Sequence, residues 1–170
     1  MKQEVILKPA LGIEWMQATI LLDEKRERLN TVQMPEENVG KSLYYADYDI
    51  RVDFDEAGKV EFIEIRGGHD SSLCPVFNSL PLFEMEVAEV LKALEENYVV
   101  EERENGHSYI IPELELALWR ERTEADVDGF IADMKADGIA VEGNEDIELE
   151  RRMARYFESA AIGRKGYFTL

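Results

Sequence analysis

From Tyr48 to Asp55 the chain alternates strictly. Ile50, Val52 and Phe54 fall on one side, and Arg51, Asp53 and Asp55 on the other. A period of two is the mark of a strand with one buried face. Glu56-Ala57-Gly58-Lys59 supplies a turn, with Gly58 free to take positive φ. Val60 to Arg66 returns, with Val60 and Phe62 facing one way and Ile63 and Ile65 the other. Apolar residues on both faces predict a strand in the middle of a sheet. A second hairpin runs from Tyr98-Val99-Val100 through Asn105-Gly106 to Ser108-Tyr109-Ile110-Ile111. Asn-Gly is the strongest two-residue hairpin signal. After Pro112, residues 113–119 alternate again, with Leu114, Leu116 and Leu118 on one face.

Other segments carry the helical period. Phe83, Val87, Val90, Leu91 and Leu94 predict a helix over 83–96. Thr123 and Asp126 form a capping box before Val127, Phe130, Ile131 and Met134, and Gly138 stops that helix. Asn144 caps a last helix through Ile147, Met153, Tyr156, Phe157 and Ala160. Residues 16–29 read as a first helix, although Ala18 to Leu22 fits a strand equally. Val5-Ile6-Leu7 is a short strand, 30–41 and 69–81 are loops, and 162–168 is a short strand or ordered tail.

The order predicts an α+β fold in a single domain, 1–170: an antiparallel sheet built from β-hairpins, with helices packed on one face. Each hairpin follows a helix, which suggests two α-β-β units side by side. The predicted core comprises Ile50, Val52, Phe54, Val87, Val90, Leu91, Leu94, Leu114, Leu116, Phe130 and Ile131.

Composition narrows the class. At 170 residues, 45% apolar and 33% charged, the chain is long enough for one core and too apolar for disorder. No run approaches the ~20 apolar residues of a spanning helix, and Met1 to Pro9 lacks the pattern of a signal peptide. The single cysteine, Cys74, excludes an internal disulfide and Cys-rich zinc sites. These features predict a cytoplasmic protein without a membrane partner.

Charge changes the picture most. Thirty-seven acids against nineteen bases leave a net charge of −18. Nucleic acid is disfavoured, because phosphate binding needs a basic surface. Acids concentrate at Glu95, Glu96, Glu101, Glu102 and Glu104, and again at Glu142, Glu145, Asp146, Glu148 and Glu150. Such runs usually face water. They also draw in a basic protein partner over long range. Tyr44, Tyr45 and Tyr48 lie at a loop-to-strand junction, where aromatics serve as interface anchors.

Catalytic equipment is scarce. His69 and Cys74 are the one pairing that thiol chemistry could use. No flanking residue activates Cys74, and a packed, inert cysteine is the commoner state. His107 belongs to the Asn105-Gly106 turn. Asp53, Asp55 and Glu61 flank the first hairpin turn, where the ordinary solvent face of a strand explains them better than a cation site. No phosphate loop, dinucleotide fingerprint or nucleophile elbow is present, and no cofactor or metal is expected.

Leu11-Gly12-Ile13-Glu14-Trp15, Val60 to Ile65, Phe83 with Val87 and Val90, Leu118-Trp119-Arg120 and Gly166-Tyr167-Phe168 together carry a resemblance. In these segments the chain resembles small acidic bacterial α+β proteins, some of which are similar to immunity proteins of toxin systems. The resemblance implies inhibition by binding and supplies no catalytic residue. The expected function is therefore a non-catalytic acidic protein-binding module. The alternatives are a small hydrolase using His69 and Cys74 or a carboxylate-bound metal, and a small-ligand-binding module.

Overall fold

Val5, Leu7, Ile13, Trp15 and Ile20 are buried along one face of a sheet, and Leu43, Ile50, Val52, Ile63 and Ile65 along one face of another; all join a single apolar cluster. The computed structural model describes residues 1–29 and 35–169. Strands β1 (Gln3–Lys8), β2 (Gly12–Trp15) and β3 (Ala18–Leu21) form a meander, followed by one helical turn, α1 (Arg26–Leu29). Strands β4 (Glu37–Val39), β5 (Ser42–Tyr45), β6 (Ile50–Phe54) and β7 (Val60–Ile65) form a second meander. Then come β8 (Leu73–Phe77), β9 (Leu80–Pro81) and α2 (Val87–Glu95). The last third holds β10 (Glu101–Arg103), β11 (Ser108–Ile111), β12 (Leu116–Trp119), α3 (Glu124–Ala136), α4 (Glu145–Arg155) and β13 (Ser159–Gly163).

One sheet has five strands in the order β3-β2-β1-β8-β9, and the other has eight in the order β10-β11-β12-β13-β7-β6-β5-β4. The fold is α+β and rich in antiparallel pairs, with β1 and β8 the parallel exception among the described residues. Val87, Val90 and Leu94 fasten α2 to the shared core. Val127, Met134, Ile147 and Ala154 are buried on α3 and α4 outside that cluster. Leu91 and Leu114 are half-buried against the cluster, and Phe130 and Ile131 are half-buried outside it, while the rest of the predicted core is buried.

Several expectations are corrected. Residues 16–29 are not a helix: Met16 (φ 56°) turns β2 into β3, and Asp23 (φ 63°) breaks the chain again. No helix beyond the turn α1 precedes the first hairpin among the described residues, so the α-β-β unit does not repeat. Within the predicted loop over 30–41, residues 30–34 lie outside the described residues, while Glu37–Val39 is a strand. The 69–81 loop contains β8 and β9. Pro75 fits there because its carbonyl accepts the Leu82 N–H (2.9 Å), which turns its donor-less nitrogen away from β1.

Glu61 is an extra residue in β7, since Asp53 pairs with Phe62 and Phe54 with Val60. This bulge brings Val60, Ile63 and Ile65 onto one buried face and sends Phe62 to the other. The 83–96 helix begins later, at Val87, after Glu86, whose carboxylate and that of Glu89 form the capping box. The strand read at 98–100 begins at Glu101, and that read at 113–119 begins at Leu116 after a left-handed Glu115 (φ 47°). The last helix ends at Arg155, and Ser159–Gly163 becomes a wholly buried strand between β12 and β7.

Candidate functional site

Ile50 pairs with Ile65, Ile65 with Ala160, and Ala160 with Leu118. This register gathers four connections at one end of the eight-stranded sheet: the β5–β6 turn, the β7–β8 link, the β12–α3 link and the α4–β13 link. Connections over a rigid sheet are the usual seat of recognition.

The β5–β6 turn is strained. Ala46, Asp47 and Tyr48 stand consecutively at φ 54°, 54° and 68°. A left-handed non-glycine residue costs roughly 1–2 kcal/mol, so the turn persists only where neighbours hold it. The Glu36 carboxylate accepts the N–H groups of Asp47 (2.7 Å) and Tyr48 (2.9 Å). The Arg66 guanidinium donates to the Tyr48 carbonyl (2.8 Å), and the Ser71 hydroxyl donates to Asp49 (2.5 Å). The Tyr48 ring is thereby presented outward at 45% exposure, 5.6 Å from the half-buried Tyr44 ring. A hydrogen bond to Glu37 raises the Tyr48 phenol pKa above its usual value. Tyr45 does not join them: it is buried in the core against Trp15, and its hydroxyl has no partner among the described residues.

Gly67 and Gly68 carry the chain from this turn to a cleft. A β-carbon on Gly67 would meet the Asp49 carboxylate at 3.0 Å, and one on Gly68 would meet that of Glu158 at 2.8 Å. The cleft is lined by His69, Asp70, Glu121, Arg122, Arg152 and Glu158, with Leu149 and Met153 as its apolar wall. Burial, then the charges of Asp70 and Glu121, push the Glu158 carboxyl up, and Arg152 opposes them. The arginines are engaged: Arg152 with Asp70 (3.1 Å), and Arg122 with Glu150 (2.6 Å) and Glu121 (3.0 Å). At this end Asp47, Asp49, Asp70, Glu121 and Glu158 outnumber Arg66, Arg122 and Arg152.

His69 stacks on Tyr156, with ring centroids 4.3 Å apart, and its Nδ1 lies 3.2 Å from the Phe83 carbonyl. Cys74 is buried, and burial raises its thiol pKa. No hydrogen bond joins the two among the described residues, and the thiol instead lies 3.7 Å from the Pro75 carbonyl. The geometry leaves Cys74 neutral, without an imidazolium to activate it. Asp53 is held by Arg51 and Ser42, while Asp55 and Glu61 pair with Arg164. Among the described residues, no group of three or more His, Cys, Asp and Glu side chains stands so as to hold a metal ion, and no helix is long and apolar enough to cross a membrane.

The predicted acids separate into distinct places. Glu95 and Glu96 are exposed at the end of α2. Glu101 and Glu102 lie on the edge strand β10, and Glu104 follows in the turn to β11. Glu142, Glu145 and Asp146 are exposed where the chain enters α4, a placement that complements the helix dipole. Glu148 pairs with Arg151 (3.2 Å), and the half-buried Glu150 braces Arg122 beside the cleft. Asp70, Glu121 and Glu158 escaped sequence reasoning. Gly67-Gly68 before His69-Asp70 was the one signal near them, and nothing local marks Glu158. No family model matches the chain, and no curated protein or solved structure shows significant similarity to it.

Proposed function

We propose that the chain is a non-catalytic binding module for a basic protein, which it engages through the acidic end of the eight-stranded sheet. The observation that carries this reading is Tyr48. It stands exposed on a turn of three successive left-handed residues, held by Glu36 and Arg66. Strain maintained to expose an aromatic ring is characteristic of recognition sites. Glu36 and Glu37 act on it directly, Asp47 precedes it in the chain, and Gly67-Gly68 leads from this turn to the cleft that holds Asp70 and Glu158. A partner rich in lysine and arginine, such as a toxin neutralised by an immunity protein, complements that surface.

The test uses the full chain as bait, with Tyr48→Ala and the triple reversal of Glu142, Glu145 and Asp146 to Lys as comparisons. The wild type and the triple reversal should retain the same basic protein at physiological salt, and Tyr48→Ala should lose it. Equal retention by all three would place recognition elsewhere. Retention of no basic protein by the wild type would overturn the reading.

A further inference from the structure

The eight-stranded sheet ends at β10, whose residues are all exposed. The His107 carbonyl accepts the Arg120 N–H (2.9 Å), so the bonding groups of Tyr109 and Ile111 face β12 while those of Ser108 and Ile110 face β10. Glu101 pairs with Ile110 and Arg103 with Ser108. These two residues therefore exchange bonds with β11, and the N–H and C=O of Glu102 point out of the sheet. No backbone hydrogen bond occupies them among the described residues. Side chains alternate across a strand, so Glu101 lies on one face and Glu102 on the other, with Glu104 at the end. Arg103, the only cation of the strand, is bonded to Glu101 (3.0 Å) and to the Phe168 carbonyl (3.1 Å).

We propose that β10 is a strand-addition site for an extended, lysine- or arginine-bearing segment of the basic partner. The inference rests on the reading that the partner is basic. The open edge supplies main-chain hydrogen bonds, and Glu102, with Glu104 at the strand end, supplies the selection. A second copy of this chain does not fit, because its own Glu102 would stand opposite an identical charge. A charged edge of this kind excludes like-charged strands while admitting a cationic one.

The probe is an amidated hexapeptide of alternating lysine and valine, with the glutamate–valine version as control, titrated into the full chain and followed by NMR. Saturable shifts and slowed hydrogen exchange are expected at Glu102 and its neighbours, for the lysine peptide alone. Proline is tolerated on an edge strand where the N–H faces water, so Glu102→Pro should keep the melting temperature. It should weaken the peptide about tenfold, the size expected for losing one net main-chain hydrogen bond together with the Glu102 charge. Should that variant fail to fold, a lysine peptide N-methylated along its bonding edge replaces it and should bind as weakly. Shifts centred away from β10, or undiminished binding by Glu102→Pro or the methylated peptide, would overturn the proposal. The Tyr48→Ala comparison tests the basic-partner reading separately. Loss of the partner there, with Glu102→Pro still binding it, removes strand addition alone.

Discussion

His107 Nε2 lies 2.8 Å from Asp126 Oδ2, while its Nδ1 lies 2.7 Å from the Glu104 carbonyl oxygen. Both partners accept only, since the Asp126 carboxylate is already the acceptor for the Thr123 N–H (2.8 Å). Making both bonds requires an imidazolium. The ring therefore ties the β10–β11 turn to the first turn of α3 in its charged form. The Glu104 carbonyl bond, and then Asp126, raise the His107 pKa above 6.5 against burial and the charge of Arg120. A raised folded-state value stabilises the fold fully below the unfolded value. That contribution disappears as pH rises through the folded value. Melting temperature should thus fall above pH ~6.5 more for the wild type than for His107→Gln, and NMR should show the ring titrating late. Parallel pH profiles would remove the charged bridge.

Glu158 is expected to trade stability for a charged cleft. Its folded-state pKa is raised by burial and by Asp70 and Glu121. Ionisation at neutral pH therefore costs stability that is retained only when the group is protonated. Glu158→Gln should raise the melting temperature at pH 7 and have less effect near pH 4. A lower melting temperature at pH 7 would show that the carboxylate is stabilised by something the cleft geometry does not reveal.

Tyr167 covers Gly163 so closely that a β-carbon there would meet the Tyr167 Cβ at 2.5 Å and ring atoms at 2.8 and 2.9 Å. The same ring packs on Phe62, with centroids 5.1 Å apart. Gly163→Ala should destabilise the protein by about 1–3 kcal/mol through overpacking, read by chemical denaturation. Adding Tyr167→Gly should recover part of that loss, because the β-carbon and ring that cause the clash then go together.

Glu115 anchors the same terminal segment. Its buried carboxylate accepts the N–H groups of Gly166 (2.7 Å) and Phe168 (3.1 Å) and lies 3.4 Å from the Thr169 hydroxyl. Glu115→Ala should speed hydrogen exchange at Gly166 and Phe168, with a stability loss of about 1–3 kcal/mol for the charge-assisted bonds. Unchanged exchange at both amides would dismiss this role.

Much of the fold was legible because its signals are local. Ile50-Val52-Phe54 alternates, Val87-Val90-Leu94 repeats at the helical period, and Thr123 with Asp126 caps α3 through reciprocal bonds. The failures share a different cause. The parallel pairing of β1 with β8 joins residues about seventy positions apart, and no turn residue announces it. Ser159-Ala160-Ala161-Ile162-Gly163 continues a helical pattern in sequence, yet its small side chains fit a strand covered on both faces, with Tyr167 over Gly163. Glu61 shifts the register of β7, so strict alternation assigned Phe62 to the face of Val60. At the site, tyrosine and acid spacing named Tyr48 but could not separate it from Tyr45, one residue beyond a change of face. Glu158 meets Asp70 and Glu121 only through the sheet, which places three distant connections at one end.

Association kinetics with the retained basic partner test the central claim most directly. The comparison is wild type against Tyr48→Ala and against Asp47→Lys with Asp70→Lys, across ionic strength. An acidic recognition surface predicts a wild-type association rate that falls steeply as salt shortens the Debye length from ~30 Å at 0.01 M to ~8 Å at 0.15 M. The double reversal should slow association and flatten that dependence, while Tyr48→Ala should mainly speed dissociation. Rates that are insensitive to salt and equal for all three proteins would contradict the account.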